Sequence, residues 1–172
     1  MHRAIPVLVL PALAVLLLAP AASSVAQTDA GPVRKPGWWE MQLTLSGPTP
    51  TPAHQVVRMC TDATTDKVQS PLGVNMNGNG CPPVKTARTA TGWTVAGSCN
   101  TGQMTITASA VATGDFNDRY HVDIDTHLDP PPAPQAAEVK IAMDAHWLGE
   151  CPAGKKPGDI ETSAPNAPPP PG

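Results

Sequence analysis

Histidine and aspartate side chains alternate with apolar ones along two successive stretches of the chain, and these polar residues could do chemistry. They are His121, Asp123, Asp125, His127, Asp144 and His146. Because side chains two apart in a strand lie on one face, each stretch presents its imidazoles and carboxylates together. Imidazole and carboxylate are ligands that zinc and copper accept in proteins.

A metal site follows if the two stretches are paired strands whose apolar faces match. In that register His121 lies opposite His146 and Asp123 lies opposite Asp144. These four side chains are the candidate ligands of a divalent metal ion. The interpretation that we favour is that this face is the solvated side of a half-covered sheet, where polar residues are the rule. A shift of register would also separate the four side chains.

Sequence motifs of the common catalytic sites are absent from the chain. It contains no GxSxG nucleophile elbow, no HExxH helix and no phosphate-binding glycine loop. Asp123 and Asp125 could form a carboxylate pair, but neither occupies the apolar kind of position that tunes a catalytic acid. We therefore expect a protein that is not an enzyme and needs no cofactor, with an unrecognised hydrolase as the alternative.

Period-two alternation of apolar and polar residues predicts strands through most of the chain. The predicted strands cover residues 38–45, 54–60, 84–89, 93–99, 104–113, 119–128 and 138–151. A short helix is predicted over residues 63–68 with Asp62 as its N-cap, and the rest of residues 61–80 is predicted to be an exposed loop. The pattern predicts an all-β antiparallel domain. A strongly curved sheet or small open barrel of about seven strands is favoured, with a two-sheet sandwich as the alternative.

The four cysteines of the chain favour two disulfides. None of their spacings is the CxxC type of a zinc site, and an even number in an exported protein is typical of disulfide pairing. Cys81 and Cys99 bracket a predicted hairpin, while Cys60 and Cys151 would tie an early strand to the last one. We favour these two pairs among the three possible pairings.

The first 26 residues have the pattern of a secretory signal peptide, with cleavage expected before Gln27. Arg3 supplies the positive charge, and the apolar run over residues 5–19 is too short for a membrane span. We therefore expect a periplasmic or secreted protein without a transmembrane segment after cleavage.

The remainder of the chain is long enough for one domain with a core. We expect a flexible leader over residues 27–34, a single disulfide-bonded β domain over 35–159 and a disordered proline-rich tail over 160–172. The formal net charge is −3 with neutral histidines, so the chain lacks the basic balance of a nucleic-acid-binding protein.

Aromatic residues make up only 3% of the chain, which favours a role in the core. Trp39, Trp93 and Trp147 are the predicted core anchors. Methionines at inward strand positions favour a role in filling gaps in the core, and lining a concave face that binds an irregular apolar molecule is the alternative. They are Met41, Met59, Met76, Met104 and Met143.

Several short segments resemble one family across nearly the whole domain. They are residues 35–40 (KPGWWE), 59–61 (MCT), Cys81, Cys99, residues 147–151 (WLGEC) and 156–159 (KPGD). Through them the chain resembles the domain-of-unknown-function family 3617, a group of exported bacterial proteins. The family commonly has an arginine where this chain has His146. The resemblance implies an envelope or secreted location and four paired cysteines, but no reaction.

Together these observations predict an exported, non-enzymatic protein that binds a small ligand or interacts with the envelope. Its expected partner is a hydrophobic small molecule or an envelope protein. Divalent metal binding on the His/Asp strand face and an unrecognised hydrolase are the alternatives.

Overall fold

The computed structural model of the chain describes residues 31–47, 53–74, 76 and 81–163. Three predicted segments lie outside the described residues, in whole or in part. They are the signal peptide (1–26), the first part of the leader (27–30) and the end of the proline-rich tail (164–172).

Eight strands and one short helix make up the described chain. The strands are β1 (Gly37–Ser46), β2 (Ala53–Thr61), β3 (Lys85–Arg88), β4 (Gly92–Asn100), β5 (Thr105–Asp115), β6 (Arg119–Asp129), β7 (Glu138–Gly149) and β8 (Ile160–Ser163). The helix, α1 (Ala63–Gln69), begins at the predicted N-cap Asp62, whose side chain accepts hydrogen bonds from the backbone of Thr64 and Thr65.

All eight strands form one antiparallel sheet in the order β3-β4-β5-β6-β7-β1-β2-β8. The predicted all-β, open, curved sheet is confirmed, with eight strands instead of about seven, and the sandwich alternative is not adopted. The first strand lies between β7 and β2, so the beginning and the end of the domain are neighbours in the sheet.

One face of the sheet, the inner face, carries the core because apolar residues alternate inward along each strand. Trp39 is fully buried at its centre, with its ring 5.4 Å from the ring of Tyr120. Phe116 stacks on Tyr120 with the ring centroids 4.5 Å apart. Trp93 and Trp147 are only partly buried and pack against the edge of this cluster.

The segment after α1 covers part of the inner face, and the prediction of an exposed loop there was wrong. Leu72 and Val74 are 2% and 4% exposed, and both belong to the core cluster. An open sheet has no second sheet to cover its apolar face, so irregular segments must do so. The loop residues 75 and 77–80 lie outside the described residues.

A buried ion pair fastens the segment before β1 to the helix. The predicted flexible leader ends in Arg34, which is instead 2% exposed. Its Nη2 and Nε donate to Oδ1 of Asp66 at 2.6 and 2.9 Å, and its backbone N–H donates to Oδ2 at 2.6 Å. A buried guanidinium needs an acceptor of opposite charge, because burial removes its hydration. The ion pair with Asp66 therefore orders Arg34.

Two disulfides join separate parts of the sheet. One links Cys60 at the end of β2 to Cys151 after β7, and the other links Cys81 to Cys99 in β4. Each pair has the spacing of a bonded cystine.

The chain beyond Cys151 returns to the edge of β2, where it forms β8. The predicted disordered tail therefore begins with a strand at residues 160–163, in which Ile160 pairs with Met59. The backbone N–H of Cys60 donates to the carbonyl of Asp159, and the carbonyl of Cys60 accepts from the N–H of Gly158. These two hydrogen bonds hold the returning chain in this position. The order of this strand depends on the free edge of β2 and on the nearby disulfide. Both are long-range features that cannot be read from the composition of the tail.

Within the described residues no helix is long and apolar enough to cross a membrane.

Replacing Asp66 with alanine should lower the free energy of unfolding by about 3–5 kcal/mol, because the Arg34 guanidinium would stay buried without its carboxylate. Urea unfolding followed by tryptophan fluorescence, with the disulfides intact, measures this. The matched control is the double variant Arg34→Met with Asp66→Leu, which removes both charges and should recover more than half of the loss. A loss under about 1 kcal/mol in Asp66→Ala would show that the pair behaves as a surface ion pair.

Candidate functional site

The outer face of the sheet carries a polar hollow of ≈600 Å³, here called the outer groove. It is lined by Glu40, Gln42, Thr113, Gly114, Arg119, Tyr120, His121, Asp144, Ala145 and His146. Three of the four predicted metal ligands are therefore in its wall, while Asp123 lies beside it on β6. Arg119 was not among the predicted site residues, although its position two residues before His121 places it on the same face.

Strand register sets the order of the side chains across the outer groove. Glu40 of β1 pairs with His146 of β7, which pairs with Arg119 of β6. In the next row His121 of β6 pairs with Asp144 of β7. The outer groove thus consists of neighbouring rows in which acidic and basic side chains face each other across the central strands.

The predicted register of β6 and β7 was wrong by two residues. His121 lies opposite Asp144 instead of His146, and Asp123 lies opposite Ala142. A shift of two residues keeps every inward side chain on the inner face, so hydrophobic alternation cannot distinguish the two registers.

Both ring nitrogens of His121 face carboxylates. Nδ1 lies 2.8 Å from Oδ1 of Asp144, and Nε2 lies 3.2 Å from Oδ1 of Asp123. The hydrogen bond to Asp144 raises the pKa of His121 most; partial burial opposes this, and Asp123 adds to the rise. The protonated ring donates through both nitrogens and then has no lone pair for a metal ion.

No group of three or more His, Cys, Asp or Glu side chains among the described residues could hold a metal ion. Two further polar residues of β6, Asp125 and His127, are engaged in pairs further along the strand. Asp125 accepts from Lys140 at 2.9 Å, and His127 lies 2.5 Å from Glu138. Such cross-strand charge pairs are typical of a solvated sheet face.

A second hollow, here called the inner groove, lies on the apolar face between α1 and the sheet, with a volume of ≈500 Å³. It is lined by Met41, Leu43, Val57, Met59, Val68, Gln69, Met143 and Ile160. Three of the five methionines considered as ligand-lining residues are in its wall, whereas Met76 and Met104 are not.

Gln69 is the polar residue of the inner groove that the sequence did not identify. Its Oε1 atom is buried and has no hydrogen-bond partner in the described part of the chain. A buried acceptor without a donor costs about 1–3 kcal/mol. Gln69 is the last residue of α1. Its burial depends on how the helix packs over the sheet, which is a tertiary feature that the sequence pattern does not reveal.

Most of the segments that carry the family resemblance meet at one corner of the sheet, whereas the Cys81–Cys99 disulfide lies at the opposite end of the sheet, in β4. Lys35 places its Nζ 3.4 Å from the centroid of the Trp147 ring, and Nε1 of Trp147 donates to the carbonyl of Pro36 at 3.2 Å. Gly37 has φ +138°, and a Cβ there would collide with the carbonyl oxygen of Gly149. The disulfide of Cys60 closes the same corner, so these segments have structural roles.

Comparison with known protein families gives a match over most of the domain. The family model described as "Protein of unknown function (DUF3617)" matches residues 34–151. No curated protein and no solved structure matches the chain.

The doubly paired His121 predicts a pH-dependent contribution to stability. Because its pKa is raised in the folded state, the contribution is complete below about pH 6.5 and is lost as the pH rises through the raised value. Since the ring is 38% exposed, we expect a few tenths of a kcal/mol. The difference in unfolding free energy between the wild type and His121→Gln should shrink between about pH 6 and pH 8.5.

Urea titrations across this range measure that difference, with His54→Gln as the control, because His54 contacts a neutral Thr44 hydroxyl. A difference that stays constant or grows with pH would contradict the assignment of His121.

Proposed function

We propose that this chain, which belongs to the DUF3617 family, binds a small hydrophobic molecule in the inner groove. The description of the family assigns no activity. The proposal is for a non-enzymatic binding protein. Because the family description names no ligand or reaction, the proposal depends on the chemistry of the groove alone.

The observation that carries the proposal is the methionine lining of the inner groove. Met41, Met59 and Met143 come from three adjacent strands and converge on one hollow with Leu43 and Val57. Methionine side chains adapt to irregular apolar shapes. The volume of ≈500 Å³ lies within the range of small-molecule sites.

The size of the groove favours a small molecule over a protein as occupant. A ligand that removes about 300 Å² of apolar surface from water gains roughly 7 kcal/mol. Part of this gain offsets the loss of translational and rotational freedom, so we expect an affinity in the micromolar range or weaker. Gln69 adds one feature, since its Oε1 could accept a hydrogen bond from a ligand hydroxyl after a side-chain rotation.

The site of action that we propose is the periplasm or the extracellular space. The two disulfides support it, because paired cysteines persist in oxidising compartments. The signal-peptide pattern of residues 1–26 also supports it.

Replacing Leu43 with glutamate should weaken binding of a neutral hydrophobic probe by at least about tenfold, because an ionised carboxylate would lose hydration beside the bound molecule. Fluorescence titration with N-phenyl-1-naphthylamine measures the affinity, and native mass spectrometry against a panel of neutral lipids tests natural ligands. The matched control is Ala96→Glu, which adds the same charge at an exposed position opposite Lys85.

Two results would contradict the proposal. One is an equal affinity of Leu43→Glu and the wild type for the probe, and the other is the absence of any bound probe or lipid on the wild-type protein. Denaturation curves of both variants establish that Leu43→Glu is folded under the conditions of the titration.

The full chain expressed in a bacterium with an oxidising periplasm should be recovered from the periplasmic fraction with Gln27 as its first residue. Intact-mass and peptide analysis should find no alkylated cysteine before reduction, and Cys60 joined to Cys151. A chain that keeps Met1 in the cytoplasmic fraction, or that has free thiols, would contradict export.

A further inference from the structure

We infer that the outer groove is a separate binding site for the carboxylate of a small organic acid, held by Arg119 and His146. It lies on the opposite face of the sheet from the inner groove, and it goes beyond the proposed function. The inference depends on which charges of the groove already have partners and which do not.

The acidic side chains of the outer groove are already paired. Glu40 accepts from Nε and Nη2 of Arg58, both at 2.8 Å, and from Gln42 at 3.1 Å. Burial raises the pKa of Glu40, but these hydrogen bonds outweigh it, and the pKa is lowered overall. Asp144 is bound to His121 at 2.8 Å. Neither carboxylate therefore needs a further cation.

The basic side chains across from them are not paired in the same way. Within the described part of the chain, Arg119 forms one ion pair, from Nε to its sequence neighbour Asp118 at 3.3 Å, and its side chain is 71% exposed. Neither Nη group makes a hydrogen bond to a described residue, although Asp115 of β5 lies opposite Arg119 in the sheet. His146 makes no side-chain hydrogen bond with any described residue, but its charge contributes to the lowered pKa of Glu40, which lies opposite it. The Thr113 hydroxyl also has no hydrogen-bond partner among the described residues.

Register brings these donors together. Arg119 and His146 are directly opposite each other on one face, where paired side chains are about 5 Å apart at Cβ. Thr113 lies one strand over, opposite His121, and lines the same hollow. Two basic groups side by side repel one another when both are charged, and an anion between them removes that repulsion.

The donor set favours a carboxylate over phosphate. The planar guanidinium matches the two oxygens of a carboxylate in a bidentate pair. Glu40 and Asp144 stand in the same wall and would repel a second negative charge on the ligand. The hollow of ≈600 Å³ has room for the carbon skeleton of a small organic acid beside the donors.

The test is a nuclear magnetic resonance titration of the full mature protein with butyrate, its neutral isostere butyramide, and inorganic phosphate. Butyrate should shift the side-chain resonances of Arg119 and His146 in a saturable way, whereas butyramide should not. Arg119→Gln should weaken butyrate binding by about tenfold or more, and His146→Gln should weaken it less. Arg88→Gln is the control, because Arg88 lies against Trp93 and belongs to β3, the strand at the edge of the sheet away from the outer groove.

The inference is overturned if butyramide shifts the same resonances as strongly as butyrate, if phosphate binds more tightly than butyrate, or if Arg119→Gln leaves the affinity unchanged. Backbone spectra of each variant show that the sheet is intact, so that a loss of binding reports on the side chain alone.

Discussion

The ion pair between Arg34 and Asp66 holds together the cover of the inner face. A single open sheet leaves one apolar face without a second layer, and here the segment before β1 and the helix α1 supply part of that layer. The Arg34 guanidinium also contacts the hydroxyl of Tyr120 and the sulfur of Met41 beneath it. Cover and sheet are thus joined through buried polar contacts in addition to apolar ones.

The inner groove depends on this arrangement. Val68 and Gln69 contribute to its wall because Asp66, one turn earlier in α1, is fixed to Arg34. The Cys60–Cys151 disulfide acts from the other side, because it positions the chain that returns as β8 and places Ile160 at the rim. In the chain-entropy description a loop of this length stabilises the fold by roughly 4–5 kcal/mol. Two covalent or ionic constraints therefore define a hollow whose lining is almost entirely apolar.

The local sequence pattern was sufficient to predict where the strands lie, but it was insufficient to predict which distant residues they contact. Alternation located the strands β1 to β7 to within a few residues, and Asp62 marked the start of α1, because these features depend on nearby residues only. Arg34, Leu72 and β8 were misjudged because each is ordered by a partner distant in sequence. The error in the outer groove has the same cause. The polar residues were predicted on the correct face, but alternation does not detect a shift of two residues. Because of this shift, Asp144 lies opposite His121 where His146 was predicted.

The corner at which Lys35, Gly37 and Trp147 meet has an evolutionary consequence. Most of the segments that identify the family close that end of the sheet, and an insertion there would separate β1 from β7 or displace the Cys60–Cys151 disulfide. The connections from β1 to β2, β4 to β5 and β6 to β7 lie at the other end. The lengths of these three connections can therefore change without disturbing the corner, while the Cys81–Cys99 disulfide fixes β4 beside one of them.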